Sequence, residues 1–226
     1  MNLSVVATPI GNLKDISLRA KEVLEQATLI VAEDTRTSGQ LLKLLEIGGQ
    51  KEFVSSHAQS SESALKKTLE RCSEHEYIAL VTDAGTPAIS DPGSFFVSEF
   101  RRLYPDASIV SVPGASALIS ALSVCGYSCN HFEFLGFIPH KKGRQTLFLK
   151  IKDTKHTIVF YESPHRIIKT LEELNKTIEN REVFIGREMT KMFEEYKWGS
   201  PKEHLDYYQN NPSKLKGEFV CVVSPI

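Results

Sequence analysis

The alternation of short apolar runs with helical patterns constrains the fold of this chain most strongly. In the first half, five apolar runs of strand length are separated by four stretches with helical periodicity. Strands and helices that alternate in this way predict a mostly parallel sheet covered by helices on both faces. The predicted strands are residues 3–7, 29–32, 52–55, 77–82 and 108–112, and the predicted helices are residues 17–27, 36–45, 61–75 and 94–103.

Beyond Gly114 the pattern changes, because predicted strands outnumber predicted helices. Such a pattern is typical of an α+β domain with a mixed or antiparallel sheet. We therefore predict an α/β protein with two domains, an N-terminal one over residues 1–113 and a C-terminal one over residues 114–226. The strands predicted here are residues 131–136, 156–161, 182–187, 193–198 and 218–223, and the helices are residues 115–125 and 164–177.

Composition excludes several classes of protein. The 27 Lys and Arg residues nearly balance the 28 Asp and Glu residues, so any nucleic-acid contact must come from a local basic patch. No apolar run approaches the roughly 18 residues that a membrane span needs, and the N-terminal sequence lacks the basic start of a signal peptide. The four cysteines form no CxxC pair and the seven histidines are scattered. We expect a cytoplasmic protein with no metal site.

Clusters of glycine, proline and charged residues follow four of the predicted strands. They read TPIGNLKD, EDTR, TDAGTPAISDPG and PGAS, whereas GxGxxG, GxxxxGK[ST] and GxSxG do not occur. Loops at the carboxyl ends of parallel strands are where α/β proteins bind ligands. The two glycines and two prolines of residues 82–93 predict a rigid loop that aims amide groups at a carboxylate or phosphate. The alternative is an ordinary turn in which Asp91 caps the next helix.

Three segments, EDTR among them, combine charged side chains close to strand ends. In EDTR, Asp34 and Arg36 form either a structural ion pair or part of a substrate site, with a carboxylate as base and the arginine for phosphate. In FYESPHRI, Tyr161 offers a ring for stacking beside the charged Glu162 and Arg166. The basic loop HKKGR is either a solvated tip or a grip on a phosphate backbone.

Taken together and in order, these segments resemble a known family. VATPIGNLKDISLRA, AEDTRTSGQLL, LVTDAGTPAISDPG, VPGASALISALS, GFIPHKKG, FYESPHRI, REMTK and GEFV are similar to the bacterial ribosomal RNA small-subunit methyltransferase I family, within the tetrapyrrole-methylase-like superfamily. The resemblance runs from about Leu3 to Val223. It implies a homodimer that transfers a methyl group from S-adenosylmethionine to the ribose 2′-hydroxyl of a cytidine in the decoding region of 16S ribosomal RNA.

The resemblance also implies roles for individual residues, with the cofactor in a cleft between the two domains. Residues implied to bind the cofactor are Pro9, Asp83, Ala84, Gly85, Thr86, Pro87, Ser90, Asp91, Ser116, Ala117, Phe160 and Tyr161. Residues implied to contact phosphates of the RNA in the small ribosomal subunit are Lys141, Lys142, Arg144 and Arg166.

Methyl transfer to a hydroxyl needs alignment of the reacting atoms and a group that removes the hydroxyl proton. The candidate bases are Glu33, Asp34 and Glu162, and Lys191 joins them if burial lowers its pKa. Arg36 would neutralise phosphate. Two alternatives stay open: a methylase of a small, tetrapyrrole-like molecule, and a module that binds S-adenosylmethionine or RNA without turnover.

Overall fold

The computed structural model describes residues 1–56, 62–178 and 180–226. The chain divides into two compact units, Met1–Ser116 and Ala117–Ile226. The division predicted after residue 113 lies in the same loop, between the last strand of the first unit and the first helix of the second. Each unit has hydrophobic clusters of its own.

The first unit contains a five-stranded parallel sheet. Its strands are β1 (Asn2–Val6), β2 (Leu29–Ala32), β3 (Glu52–Ser55), β4 (Tyr77–Val81) and β5 (Ser108–Val112). They lie side by side in the order β3-β2-β4-β1-β5. In register, Leu3 of β1 faces Ile78 of β4, and Val31 of β2 faces Leu80 of β4. All four residues of β2 are buried, as expected for a central strand covered on both faces.

Helices cover both faces of this sheet. They are α1 (Leu18–Gln26), α2 (Thr35–Leu44), α3 (Glu62–Cys72) and α4 (Gly93–Leu103). Leu24 of α1 and Leu42 of α2 belong to one hydrophobic cluster, whereas Leu69 of α3 and Phe100 of α4 belong to another. The first two helices lead the chain towards one edge and the other two lead it back, which right-handed crossovers place on opposite faces. The predicted parallel α/β architecture is confirmed, although the predicted helix start at residue 61 lies outside the described residues.

The second unit is built on a mixed sheet. Its strands are β6 (Phe132–Phe137), β7 (Thr157–Glu162), β8 (Val183–Arg187), β9 (Glu195–Gly199) and β10 (Phe219–Val223). They run in the order β6-β7-β10-β8-β9, and β6 with β7 is parallel whereas the other neighbouring pairs are antiparallel. The predicted mixed sheet is therefore confirmed. The helices are α5 (Ala117–Val124), α6 (Arg144–Asp153), α7 (Ile167–Thr177) and α8 (Pro201–Asn210).

Two of these helices, α6 and α8, are missing from the sequence prediction. The buried side of α6 starts with the charged Arg144 and continues with Phe148 and Ile151, while Leu149 is exposed, so its apolar residues do not form a clean stripe. In α8 a local signal was present, because Ser200 and Glu203 form a capping box around Pro201. The sequence therefore predicts too few helices for this half of the chain.

No helix in the described ranges combines the length and apolar character that crossing a membrane requires.

Candidate functional site

The loops after β1 and β4 meet at the carboxyl edge of the parallel sheet. These strands are neighbours, but the chain leaves them in opposite directions, because β1 leads to β2 on one side and β4 leads to β5 on the other. In open α/β sheets, ligands bind where the strand order reverses in this way. The crevice between β1 and β4 is therefore the candidate functional site, and we call it the switch-point crevice.

Main-chain hydrogen bonds join the two loops at the base of this crevice. The Thr8 N–H donates to the Gly85 carbonyl oxygen at 2.9 Å, and the Gly85 N–H donates to the Thr8 carbonyl oxygen at 3.1 Å. The buried Thr8 hydroxyl donates to the Thr82 carbonyl oxygen at 3.1 Å. Since buried main-chain polar groups need partners, these bonds fix the path of both loops.

Gly85 occupies a position that only glycine fits without strain. Its φ is +86°, which is in the left-handed region. A Cβ atom there would lie 3.3 Å from Cγ2 of Ile10 and 3.6 Å from the Ala115 carbonyl oxygen. The predicted rigidity of residues 82–93 is thus a consequence of backbone conformation and close packing together.

Asp91 ties the second half of the loop to itself. Its carboxylate accepts hydrogen bonds from the Ala88 N–H and from the Gly93 N–H, the latter at 2.8 Å. Gly93 is the first residue of α4, and a Cβ on it would lie 2.7 Å from Oδ1 of Asp91. Asp91 thus bonds the first N–H of α4, although the N-cap residue is Pro92 and not Asp91 as the sequence offered. Contact of Asp91 with a cofactor stays a prediction.

The loop after β2 is bonded to the loop after β4. The Thr82 hydroxyl donates to Oε2 of Glu33 at 2.8 Å, and the Asp34 N–H donates to Oδ1 of Asp83 at 3.2 Å. Both bonds follow from the pairing of β2 with β4, which brings the residues after Ala32 next to those after Val81. Carboxylates from two loops are thereby gathered beside the switch-point crevice.

Asp34 serves as the N-cap of α2 and as the partner of Arg36. Its Oδ1 accepts from the Arg36 N–H at 2.8 Å, and its Oδ2 lies 2.7 Å from a guanidinium nitrogen of Arg36. Hydrogen bonding and charge from Arg36 hold the pKa of Asp34 far below its usual value. The structural Asp34–Arg36 ion pair, one of the two alternatives that the sequence left open, is therefore present.

A fourth loop, Pro113–Ser116, adjoins the crevice from the other side. The Thr86 hydroxyl donates to the Ala115 carbonyl oxygen at 3.1 Å, and a Cβ on Gly114 would lie 3.0 Å from Cβ of Ala7. Among the residues predicted to bind cofactor in this part of the chain, Pro9, Gly85 and Pro87 are buried, Thr86, Asp91, Ser116 and Ala117 are half-buried, and Asp83, Ala84 and Ser90 are exposed.

In the second unit, Glu162 lies inside a network of charged side chains. Its Oε1 lies 2.7 Å from a guanidinium nitrogen of Arg166, and its Oε2 accepts from the Thr170 hydroxyl at 2.7 Å. A guanidinium nitrogen of Arg144 lies 3.9 Å from the same Oε2. Because the Glu162 side chain is fully buried and ion-paired, the structure gives it a structural role, and its predicted role as a base has no support in this geometry.

The two arginines of this network are also enclosed. Arg144 donates to Oε2 of Glu173 at 2.7 Å and to the Thr170 hydroxyl at 2.8 Å, and its side chain is only 5% exposed. Arg166 donates to the Ile138 carbonyl oxygen at 2.7 Å besides pairing with Glu162. The resemblance implies that these two guanidinium groups contact RNA phosphates. Such contact conflicts with the hydrogen bonds and ion pairs described here, because each guanidinium group would have to leave its buried partners.

Phe160 and Tyr161, the other predicted residues near the end of β7, have different surroundings. Phe160 is fully buried and its ring packs in the hydrophobic core of the second unit, while its contact with the cofactor stays a prediction. The hydroxyl of the half-buried Tyr161 accepts from the Leu118 N–H at 3.1 Å, and its ring packs edge-on against Phe134 and Phe137. Burial raises the pKa of Tyr161.

Lys191 is held between two carboxylates. Its Nζ lies 2.9 Å from Oε1 of Glu188 and 2.9 Å from Oε2 of Glu218. Burial alone would lower the pKa of this lysine, but the two carboxylates outweigh it and the pKa is raised. The condition under which Lys191 would act as a base, a lowered pKa, is therefore not met.

Several residues that organise these sites are not among those predicted from the sequence. Thr8 and Thr82 bond the loops of the crevice through their hydroxyls, and Thr170 and Glu173 complete the charged network. A threonine begins both TPIG and TDAG, and this shared position could have pointed to Thr8 and Thr82. Thr170 and Glu173 lie inside an ordinary helical pattern, which gives no sign of their role. Among the described residues, no group of three or more His, Cys, Asp or Glu side chains is arranged to hold a metal ion.

Comparison with known proteins gives consistent matches over nearly the whole chain. Residues 2–203 match the family model of the Tetrapyrrole (Corrin/Porphyrin) Methylases. The Ribosomal RNA small subunit methyltransferase I of Thermotoga maritima is 41% identical over 222 residues, which cover 98% of this chain and 97% of that protein. The protein of the same name from Halalkalibacterium halodurans is 40% identical over 223 residues, covering 98% of this chain and 75% of that one.

Solved structures with the same fold are more distant in sequence. A crystal structure of diphthine synthase superposes with a TM-score of 0.75 at 15% identity, covering 100% of this chain and 90% of that one. The uroporphyrin-III C-methyltransferase of Thermus thermophilus, complexed with S-adenosylhomocysteine, gives a TM-score of 0.66 at 16% identity, with 99% and 97% covered. At these identities the similarity concerns the fold.

Proposed function

This chain belongs to the tetrapyrrole methylase family, and from that membership we propose that it methylates ribosomal RNA of the small subunit with S-adenosylmethionine as methyl donor. The observation that carries the proposal is the 41% identity over 98% of the chain to a protein named Ribosomal RNA small subunit methyltransferase I. The uroporphyrin-III C-methyltransferase structures that share the fold are 16–18% identical to this chain, so they give no support for a tetrapyrrole substrate.

The switch-point crevice has features that suit this cofactor. The methionine part of S-adenosylmethionine carries an ammonium and a carboxylate group, so it needs an acceptor and donors on a rigid support. Asp83 and Ala84 are exposed, while Gly85 next to them is fixed by its bonds to Thr8. These residues fit the group, and we propose that Asp83, Ala84, Gly85 and Thr86 hold it. The remaining cofactor contacts, in both units, stay predictions.

When bound, the cofactor supplies a methyl group made electrophilic by the sulfonium sulfur. The protein must orient the ribose hydroxyl and accept its proton. Of the candidate bases, Asp34 is tied to Arg36, Glu162 is buried in ion pairs, and Lys191 holds its proton. Glu33 is half-buried, and its Oε1 has no hydrogen bond to the described residues, whereas its Oε2 accepts from Thr82. We therefore assign the proton acceptor to Glu33.

Substitution of Glu33 and of its neighbour Asp34 tests this assignment. Glu33→Gln keeps a hydrogen-bond acceptor for Thr82 but removes the base, and we expect the single-turnover rate of methyl transfer to fall about 100-fold. Asp34→Asn is the matched control, since asparagine also caps helices well, and it should retain the rate within a few-fold. Equal losses in both variants, or a larger loss in Asp34→Asn, would contradict the assignment.

The proposed function itself is tested by methyl transfer from radiolabelled S-adenosylmethionine. The acceptors are small ribosomal subunits from a strain without the endogenous enzyme, and the labelled nucleotide is mapped. We expect label in 16S ribosomal RNA, and the resemblance specifies the 2′-oxygen of a cytidine in the decoding region. Absence of label in RNA together with intact cofactor binding would favour a small-molecule substrate or a module without turnover.

Two further properties accompany the proposed function. A ribosomal substrate requires that the protein work where ribosomes are made, which in a bacterium is the cytoplasm. The resemblance implies a homodimer, and sedimentation analysis of the purified protein tests this directly.

A further inference from the structure

A pocket opens on the second unit between the β6–α6 loop and α7. Apart from Gly143, all of the side chains that line it are polar or charged, and they include Lys141, Thr146, Lys169 and Glu173. Two separate elements contribute, because Lys141 comes from the loop and Lys169 comes from the first turn of α7. The basic loop stands out in the sequence, whereas no sequence pattern connects it with Lys169.

The charges in this pocket are arranged in two layers. At its base, Arg144 and Glu173 form an ion pair at 2.7 Å, so they neutralise each other. At its rim, Lys141 and Lys169 are exposed and form no ion pair with any described residue. Because Arg144 offsets Glu173, and Lys141 and Lys169 form no ion pair with a described residue, the lining of the pocket carries an excess of positive charge.

The shape of the pocket is fixed before any ligand arrives. Arg144 donates to the Pro139 carbonyl oxygen at 3.2 Å, which anchors the loop to the network around Glu162. Gly143, with a φ of +80°, turns the chain from this loop into α6. A preformed site spends less free energy on ordering itself when an anion binds.

We propose that this pocket binds a phosphate group of the RNA backbone, with Lys141 and Lys169 as the contacting cations and Arg144 as a positioning residue that supports the loop. The inference rests on the proposed function, since it names how the RNA substrate is held. Lysine side chains bind phosphates as point charges and release counterions from RNA when they do so. Arg144 acts through the loop and does not touch the RNA.

The test measures how RNA binding depends on salt. Binding of small-subunit ribosomal RNA is titrated at several salt concentrations for the wild type and for Lys141→Ala, Lys169→Ala and Lys176→Ala. Lys176 is the matched control, because it is an exposed lysine on α7 that does not line the pocket. We expect the slope of log K against log salt to fall by about 1 in each pocket variant and to stay unchanged in Lys176→Ala.

Three outcomes overturn the inference in distinguishable ways. Slopes that are unchanged in Lys141→Ala and Lys169→Ala, while the wild type binds and methylates RNA, remove the phosphate pocket and leave the proposed function intact. A wild type that neither binds nor methylates small-subunit RNA removes both. A titration with inorganic phosphate separates the two sources of the anion. If Lys169→Ala weakens phosphate binding but leaves the RNA slope unchanged, the pocket serves a free anion and not RNA.

Discussion

Replacing Gly85 by valine is expected to abolish binding of S-adenosylmethionine, with at least a 1,000-fold loss of methyl transfer in a protein that still folds. Two effects combine at this position. A left-handed backbone costs a residue with a Cβ about 1–2 kcal/mol, and valine is branched at that atom. The new Cβ would also lie 3.3 Å from Cγ2 of Ile10, so Ile10 must give way or the loop must shift, and the branches of valine make a shift of the loop the expected result. The proposed contacts of Asp83 and Thr86 move with it.

A matched control separates loss of the site from general backbone strain. Gly49 has a φ of +90°, close to that of Gly85, but a Cβ there would have no neighbour within 4 Å. Gly49→Val should therefore show a similar backbone penalty and normal cofactor binding. Calorimetric titration with S-adenosylmethionine measures binding, and circular dichroism checks folding. If Gly85→Val bound the cofactor as tightly as Gly49→Val, the loop after β4 would not be the binding site.

Replacing Glu162 by alanine is expected to lower the free energy of unfolding by about 3–5 kcal/mol. The carboxylate is fully buried and pairs with Arg166, with a guanidinium nitrogen of Arg144 close by. Its removal leaves positive charge inside the second unit without a partner, and it also leaves the Thr170 hydroxyl without its acceptor. Urea unfolding followed by fluorescence measures this change.

An exposed ion pair provides the comparison for Glu162. Lys202 and Asp206 lie one turn apart on α8, and both side chains are more than half exposed. Asp206→Ala should cost less than about 1 kcal/mol, because water solvates the lysine that remains. The loss of unfolding free energy in Glu162→Gln should lie between the losses in Glu162→Ala and Asp206→Ala, since glutamine keeps a hydrogen-bond acceptor without the charge. If Glu162→Ala destabilised the protein no more than Asp206→Ala, the network would not support the second unit.

The α/β pattern of the first unit was readable in the sequence because its signals are local. The predicted strands 29–32, 52–55 and 108–112 coincide with β2, β3 and β5. Apolar runs of this length, separated by amphipathic stretches, predict a parallel sheet covered on both faces. The same logic placed the candidate loops at the carboxyl edge of the sheet, where Gly85 and Thr8 meet.

Residues whose role depends on distant partners could not be assigned in this way. Arg144 reads as an exposed cation in HKKGR, but Glu173 and Thr170 on α7 enclose it. Glu162 and Lys191 read as candidate bases, but their buried or ion-paired surroundings come from other elements. A charged side chain in a loop looks the same in the sequence whether it faces solvent or a partner.

The class of fold, the order of the loops and the family resemblance can be read from the sequence alone, because each depends on patterns along the chain. Which charged groups are exposed and which are held in ion pairs depends instead on the tertiary fold. Charge is a property of a residue, but exposure, pairing and pKa depend on the neighbours that folding supplies. In this protein, Asp34, Glu162 and Arg144 are held in ion pairs with neighbouring side chains, whereas Glu33, Lys141 and Lys169 form no ion pair with a described residue.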